Sequence, residues 1–142
     1  MITVSSCDRC LSKYFIDHWI SGEGAPLSLV ITQNEEIQTV KPDNPWVRFS
    51  VDLFSFLEDS LGVVGNRRML REGIIAVQIF VPAMSRTKLL NELVSTVISI
   101  FEGKKYEGVI FRALTIDKID EPDDSIWFGK VVKIPFEFTE IK

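Results

Sequence analysis

The chain has 142 residues, a formal net charge of −4 and an apolar share of 46%. This length suits a single domain over residues 1–142, with enough buried surface for a core without metal or disulfide staples. The acidic balance argues against a dedicated nucleic-acid-binding protein, which usually has a strongly basic face. Apolar runs are far shorter than the ~20 residues of a membrane-spanning helix, and residues 1–22 lack a signal-peptide core. We therefore expect a protein made and kept in a cytosol-like compartment.

The first predicted element is a helix with Ser5 or Ser6 as its N-cap and with Gly22 and Gly24 at its end. Its apolar residues recur at three- and four-residue spacing, which is typical of an amphipathic helix. His18 lies on or beside this stripe. A partly buried core histidine is favoured over a catalytic one, because no nucleophile pattern accompanies it.

The only two cysteines, Cys7 and Cys10, form one C-x-x-C motif in this helix. A structural zinc site needs four ligands, and His18 supplies at best a third. A thioredoxin-like motif follows a strand in a βαβ unit, which the N-terminal position does not offer. Structural or incidental thiols are favoured, and metal binding and redox chemistry stay as alternatives.

The next predicted elements are strands. A short strand over Leu27–Ile31 precedes a polar stretch, Thr32–Asn44, which reads as a long exposed loop. Long loops in compact domains often carry function, so this one is a candidate contact arm, with a solvated loop as the alternative. Alternating side chains then predict strands over Trp46–Phe54 and Ile74–Val81.

The clearest helical pattern spans Arg86 to Glu102, with Ser85 as N-cap and Gly103 as C-cap. Two strands follow, Val109–Ile119 and Ile126–Phe138, as a hairpin. They are joined by what we call the acidic turn, which holds Asp120, Glu121, Asp123 and Asp124. The predicted order is α-β-β-β-α-β-β, an α+β fold in which helices pack on a mixed or antiparallel sheet.

Several predicted strands are apolar on both faces. In the third strand, Ile75 and Val77 lie on one side while Ile74 and Phe80 lie on the other. A sheet with one covered face normally alternates apolar and polar residues. Two helices are expected to leave part of such a sheet uncovered, so we expect contact with a neighbouring subunit. Complete burial within the monomer is the alternative.

The sequence contains no G-x-G-x-x-G, no G-x-x-x-x-G-K, no H-E-x-x-H and no G-x-S-x-G motif. The acidic turn lacks the ligand pattern of an EF-hand, so a solvated hairpin tip is favoured over a cation site. We therefore expect no enzymatic activity, no cofactor and no bound metal.

The segments Pro45–Phe49 (PWVRF) and Gly73–Pro82 (GIIAVQIFVP), joined by an arginine-bearing loop, resemble tail-terminator-like proteins of long-tailed bacteriophages. In that family a short "yVRf" strand precedes an arginine-rich turn, a "G-x-x-x-V-Q-I-F-V-P" strand and a helix. The last strand of the family ends near "V-P-F", which is similar to residues 134–136 here (IPF). The resemblance runs from about Trp46 to Phe138, and this chain has a longer loop between the two matching strands.

The resemblance implies a virion structural protein that forms a hexameric ring. Such a ring caps the tail tube, ends its polymerisation and offers a docking surface to the head. The implied partners are further copies of this chain, the tail tube protein and a head-completion or neck protein. DNA passes through the lumen without specific binding, and no membrane is involved. The implied location is the tail or neck of the virion, with the host cytoplasm during assembly.

Alternative functions stay open at this point. A head-closure or connector subunit is also a ring in the neck. A small ligand-binding or enzymatic α+β domain belongs to a different class, as does a regulatory domain that binds metal through Cys7, Cys10 and His18.

The residues expected at subunit interfaces are Trp46, Arg67, Arg68, Arg71, Asp120, Glu121, Asp123 and Asp124. A ring closes by rotation, so each subunit needs two different patches. Two exposed arms, Thr32–Asn44 and Glu58–Glu72, are expected to make contacts around or along the axis. The arginines are expected to pair with the acidic turn of a neighbour, with DNA in the lumen as the alternative partner.

Overall fold

The computed structural model describes residues 3–21, 29–32, 46–58, 63–82, 87–118 and 127–141. Their elements are α1 (Cys7–Ser21), β1 (Leu29–Thr32), β2 (Trp46–Glu58), β3 (Arg68–Pro82), α2 (Thr87–Phe101), β4 (Lys105–Tyr106), β5 (Val109–Phe111), β6 (Thr115–Lys118) and β7 (Trp127–Ile141). The predicted α+β class with two helices is confirmed. No helix in this part of the chain is long and apolar enough to cross a membrane.

Within the described residues one sheet holds seven strands in the order β1-β2-β3-β7-β5-β4, and β6 pairs with β7 beside this path. β1 runs parallel to β2, and the remaining pairs are antiparallel. The centre is the β3–β7 pair, in which Arg68 aligns with Ile141 and Pro82 with Trp127. The sheet is therefore mixed, and the predicted hairpin of the last two strands is the β6–β7 pair.

The central strands are longer than the alternation of side chains indicated. β3 begins at Arg68 rather than Ile74, because its polar first residues pair with the end of β7. β2 continues to Glu58 through an irregularity between Leu53 and Ser55. The ladder to a neighbouring strand holds these polar residues in extended conformation, which side-chain patterning does not report.

The predicted strand Val109–Ile119 is interrupted after Phe111. The backbone N–H of Arg112 donates to the carbonyl of Pro135 at 2.7 Å. Proline has no N–H to return the second hydrogen bond of this antiparallel pair. The ladder therefore breaks opposite Pro135, and pairing resumes when Thr115 aligns with Lys133.

Both helices pack on the same face of the sheet, and the hydrophobic core lies between the helices and this face. Its largest fully buried side chains come from every layer: Leu11, Phe15 and Trp19 of α1, Leu90 and Phe101 of α2, and Val47, Phe49, Ile75, Ile79, Ile134 and Phe136 of the sheet. Phe15 stacks on Phe49 with ring centroids 4.9 Å apart, and on Phe101 with centroids 6.0 Å apart. The apolar stripe predicted for the second helix is confirmed.

We call the other side of the sheet the open face, because neither described helix covers it. Its residues include Trp46, Arg48, Ser50, Asp52, Glu72, Ile74, Ala76, Gln78, Phe80, Val131, Lys133, Pro135 and Glu137. In β3 these side chains are all half-buried. The expectation that two helices leave part of the sheet uncovered therefore holds for the described residues.

Candidate functional site

Arg71 lies inside β3, so its assignment to an exposed loop is wrong. Its Nε is 3.8 Å from Oε2 of Glu140, and both side chains are only 7% exposed. The same Glu140 oxygen accepts a 2.9 Å hydrogen bond from the backbone N–H of Val4. This buried pair joins β3 and β7 to the segment before α1. Arg71 thus has an acidic partner within its own chain and lacks the exposure that contact with a neighbour requires.

Trp46 lies at one corner of the open face and is only 8% exposed. Its ring stacks on Phe80, with centroids 4.4 Å apart and planes inclined by 18°. The guanidinium carbon of Arg48 lies 5.3 Å from the centroid of the Trp46 ring, within cation–π range. A neighbour that reaches this corner would therefore meet the whole stack rather than an exposed tryptophan.

The predicted residues Arg67 and Arg68 lie where the chain enters β3, at one end of the sheet. Val63 and Val64 precede them and are 70% and 83% exposed. We call residues 63–68 the basic tip. Both arginines also interact with other residues of this chain. The tip combines exposed apolar and cationic groups, a combination suited to contact with another protein surface.

Asp120, Glu121, Asp123 and Asp124 lie outside the described residues, as does the arm Thr32–Asn44 beyond Thr32. The residues that flank the acidic turn are nevertheless described. Lys118 ends β6, and Trp127 begins β7 opposite Pro82. Arg68 begins the same β3 strand that Pro82 ends, and fifteen residues of strand span about 45 Å. The basic tip and the flanks of the acidic turn are thus at opposite ends of the sheet.

A cleft of about 530 Å³ lies between α1, the C-terminal end of α2 and the β4–β5 hairpin. It is lined by Tyr14, His18, Ser99, Ile100, Lys104, Lys105 and Tyr106. This volume is in the range of small-ligand sites. No local sequence pattern indicates the cleft, because its lining comes from three separate elements.

Two backbone turns build the wall of the cleft. Gly103 has a φ of +67° and ends α2, as predicted, and the N–H of Lys104 donates to the carbonyl of Phe101 at 3.2 Å. Glu107 and Gly108 then both have positive φ, +46° and +88°, as a two-residue hairpin turn between β4 and β5 requires. Residues 104–106 are thereby returned along the end of α1.

Tyr14 forms the floor of the cleft. Its hydroxyl donates to the carbonyl of Ile100 at 2.7 Å, and its ring centroid lies 4.6 Å from that of Tyr106. Burial, followed by the neighbouring Tyr106, raises the pKa of Tyr14. Both ring hydroxyls are thus neutral at pH 7, because burial and the charge of Glu107 also raise the pKa of Tyr106.

His18 is exposed, so its assignment as a partly buried core residue is wrong. Its ring lies 4.2 Å from the Tyr14 ring, and its Nδ1 is 2.8 Å from the Tyr14 carbonyl oxygen. It lies beside the apolar stripe of α1 rather than on it, and it lines the rim of the cleft. The imidazole is thus part of the lining that a ligand would contact.

The cleft has a cationic rim. Lys104 and Lys105 are both exposed, and neither makes an ion pair among the described residues. Two acidic side chains, Glu107 and Asp17, also lie near this wall of the cleft, since their charges help to raise the pKa of Tyr106. The two ammonium groups lie just after the C-terminal end of α2. The negative end of the helix dipole favours cations at this position, but only weakly.

The C-x-x-C motif holds one buried and one half-buried free thiol. Cys7 is 0% exposed, and burial, followed by the charges of Asp8 and Cys10, raises its pKa to about 12. A thiol with this pKa is neutral at physiological pH and therefore unreactive. No group of three or more His, Cys, Asp or Glu side chains comes together in the described part of the chain.

No family model matches the chain, and no curated protein matches its sequence. One solved structure, whose name states no function, is similar in fold, with a TM-score of 0.68. The match covers 100% of this chain and 99% of the chain in that structure. Its sequence is 14% identical. At that identity the similarity shows the fold alone: the α+β arrangement described above also occurs in another protein of nearly the same length.

Proposed function

We propose that this protein is a virion structural protein that caps the tail tube of a long-tailed bacteriophage as a ring. The ring ends tube polymerisation and presents the surface on which the head docks. The first support is the position of the segments that resemble the tail-terminator-like proteins. The "VRF" residues lie in β2, Gly73–Pro82 fills β3 up to its end, and α2 follows. The "IPF" residues lie in β7 beside β3.

The proposal rests on the opposite charge of two regions: the basic tip at one end of the sheet, and the acidic sequence that joins Lys118 to Trp127, two residues that lie at the other end. Segment 119–126, which contains the acidic turn, can extend at most about 14 Å from its ends at ~3.4 Å per residue, since it must go out and return. Lys118 aligns through Lys130 with Ile79, about 36 Å along β3 from Arg68. The two charged regions therefore cannot meet within one chain, although they can meet between copies. Contact between two different patches is heterologous and forms a ring when the rotation closes.

The edges of the sheet support the same mode of association. Among the described strands, β1 lies at one edge, whereas β4 and β6 lie on the other side of the β3–β7 centre. An open sheet with two unlike edges offers each neighbour a different surface. Two unlike edges are compatible with the head-to-tail association that a ring requires.

The open face suits a lumen through which DNA slides. Its cations are largely matched by acidic groups of the same chain: Lys133 Nζ lies 3.4 Å from Asp117 Oδ2, and Arg112 pairs with Glu137. Arg48 lies over Trp46. The described part of this surface therefore has no concentrated positive field to retain phosphates. We place the helices outside the ring and this face towards the axis.

The proposal is tested by labelling the protein in virions. A short tag on this chain, detected with gold in electron micrographs, is expected at the end of the tail next to the head. Label along the tube, or virions without label, would contradict the proposal. A connector subunit would give the same label, and only the length of the tails distinguishes the two.

A second test concerns the basic tip. Charge reversal at both arginines, Arg67→Glu with Arg68→Glu, is expected to leave the fold intact and weaken ring formation. Lys88→Glu is the control, because Lys88 is 82% exposed and lies at the far end of α2. Native mass spectrometry and circular dichroism separate assembly from folding. Assembly unchanged by the double reversal would exclude the tip from the interface.

A small ligand-binding domain is the second candidate function, and the cleft is the observation that favours it. Its volume and aromatic floor suit a small molecule. The two exposed lysines on its rim favour an anionic ligand.

A further inference from the structure

The lining of the cleft contains groups of the kind that bind carboxylates. Lys104 and Lys105 carry ammonium groups without ion-pair partners among the described residues, although the chain as a whole is acidic. His18 and Ser99 add polar groups on the same rim, and Tyr106 adds an aromatic wall. Ammonium groups make charge-assisted hydrogen bonds to carboxylates, and tyrosine faces pack against the peptide that holds them. Such a lining fits an acidic peptide better than a single inorganic ion.

The chain itself contains one such peptide. Residues 120–124 read Asp-Glu-Pro-Asp-Asp, which puts four carboxylates on five consecutive residues. The proline limits the unfolded conformations of this segment and so lowers the entropy lost when it binds. No other segment of the sequence has this density of acidic groups.

The acidic turn cannot reach the cleft of its own chain. The cleft lies at the C-terminal end of α2, whereas the turn is connected to the end of β7 that aligns with Pro82, near the start of α2. The fifteen residues of α2 separate these ends by about 22 Å. The occupant must therefore come from another copy.

We propose that the cleft between α1, α2 and the β4–β5 hairpin binds the acidic turn of a neighbouring copy of this chain. The inference deepens the ring proposal and rests on it. The cleft lies at the same end of the sheet as the basic tip, but three strands from β3, at about 15 Å. It gives the turn a concave site with a cationic rim. The basic tip lies beside this site and adds to the positive charge that the neighbour's turn approaches.

The first experiment measures peptide binding. A fluorescent peptide of residues 117–127 is titrated into a full-length variant whose own turn is neutralised: Asp120→Asn, Glu121→Gln, Asp123→Asn and Asp124→Asn. This variant cannot occupy its neighbours' clefts, so the cleft is open to the peptide. Fluorescence anisotropy is expected to show saturable binding that weakens as salt is added.

The matched variants locate the site. Adding Lys104→Gln and Lys105→Gln is expected to weaken peptide binding about tenfold or more, since two charge-assisted contacts are lost. Adding Arg67→Gln and Arg68→Gln is expected to weaken binding less, because the basic tip lies about 15 Å from the cleft and attracts the peptide only at longer range. The reverse ranking, or no binding to the parent variant, would overturn the inference. Citrate that binds while the peptide does not would also overturn it and would favour the small-ligand function.

The second experiment separates this inference from the ring proposal. Lys104→Gln with Lys105→Gln is placed in the otherwise unchanged chain, and its assembly is compared with the parent protein by native mass spectrometry. A weakened ring supports the inference. A ring that persists unchanged overturns the cleft contact and leaves the ring proposal intact. Virions that lack the protein, with peptide binding still specific to the cleft, would overturn the ring proposal alone.

Discussion

Phe101 links three elements of the core at the end of α2. Its side chain is 0% exposed. Its ring centroid lies 5.0 Å from that of Phe111 in an edge-to-face arrangement, 5.8 Å from Tyr14 and 6.0 Å from Phe15. Truncation to alanine would remove the contacts that hold α1, α2 and β5 together, and it would leave a cavity under the floor of the cleft.

The cost of Phe101→Ala follows from the area removed. The lost ring accounts for about 150 Å² of buried apolar surface, which at ~25 cal/mol per Å² is about 4 kcal/mol. Lost ring–ring contacts add to this value, and partial collapse of the surroundings lowers it. We expect the free energy of unfolding to fall by about 3–5 kcal/mol.

The assay is urea denaturation followed by circular dichroism. Phe54→Ala is the matched control, because the same truncation is made at a side chain that is 64% exposed. The control is expected to change the unfolding free energy by less than about 0.5 kcal/mol. A loss below about 1 kcal/mol for Phe101→Ala, or equal losses for both variants, would refute this description of the core.

Further predictions concern the buried ion pair, a close strand contact and the thiols. Glu140→Gln is expected to lower the unfolding free energy by about 3–5 kcal/mol, because it leaves the buried charge of Arg71 without its carboxylate. The double variant Glu140→Gln with Arg71→Met is expected to lose less, because no buried charge then lacks its partner. Additive losses would contradict the pairing. Gly73→Ala is expected to cost about 1–3 kcal/mol, because the new Cβ would lie 2.5 Å from a backbone carbonyl oxygen of β2; an unchanged urea midpoint would contradict it. Cys10 is expected to react with a thiol reagent in the folded protein and Cys7 only after unfolding, and equal rates would contradict the assignment. Burial raises the pKa of the Cys7 thiol from 9.0 to about 12, so this thiol ionises at lower pH in the unfolded chain than in the folded protein. The free energy of unfolding is therefore expected to fall as the pH rises from 9.0 to about 12. The fall is expected to be smaller in Cys7→Ala.

Local periodicity was sufficient to predict the elements that face the core. The stripe of α2 and the alternation in β3 are both present, because burial of one face imposes these repeats on the sequence. The N-cap region also agrees: α1 begins at Cys7, directly after Ser6. Gly103 ends α2 with the positive φ that glycine allows.

The errors arose where distant parts of the chain determine the structure. Arg71 was assigned to a loop because residues 68–72 show no apolar alternation, yet β7 holds them in the ladder and Glu140 neutralises the charge. The strand β4 and the cleft depend on a two-residue turn whose only sequence signal is Gly108. Lys104 and Lys105 follow shortly after α2, and their common position beside α1 is visible only in three dimensions. The contacts of a ring lie between chains, so neither local pattern nor one chain's fold fixes them.

The most direct test of the proposed function is to disrupt this gene in its genome of origin, which the proposal takes to be that of a long-tailed phage, and to examine the lysates by electron microscopy. The proposal predicts tails of uncontrolled, excessive length, which return to normal length when the intact gene is supplied in trans. Tails of normal length beside detached heads would contradict tail capping and assign the protein to the connector. Normal infectious particles would contradict both neck functions.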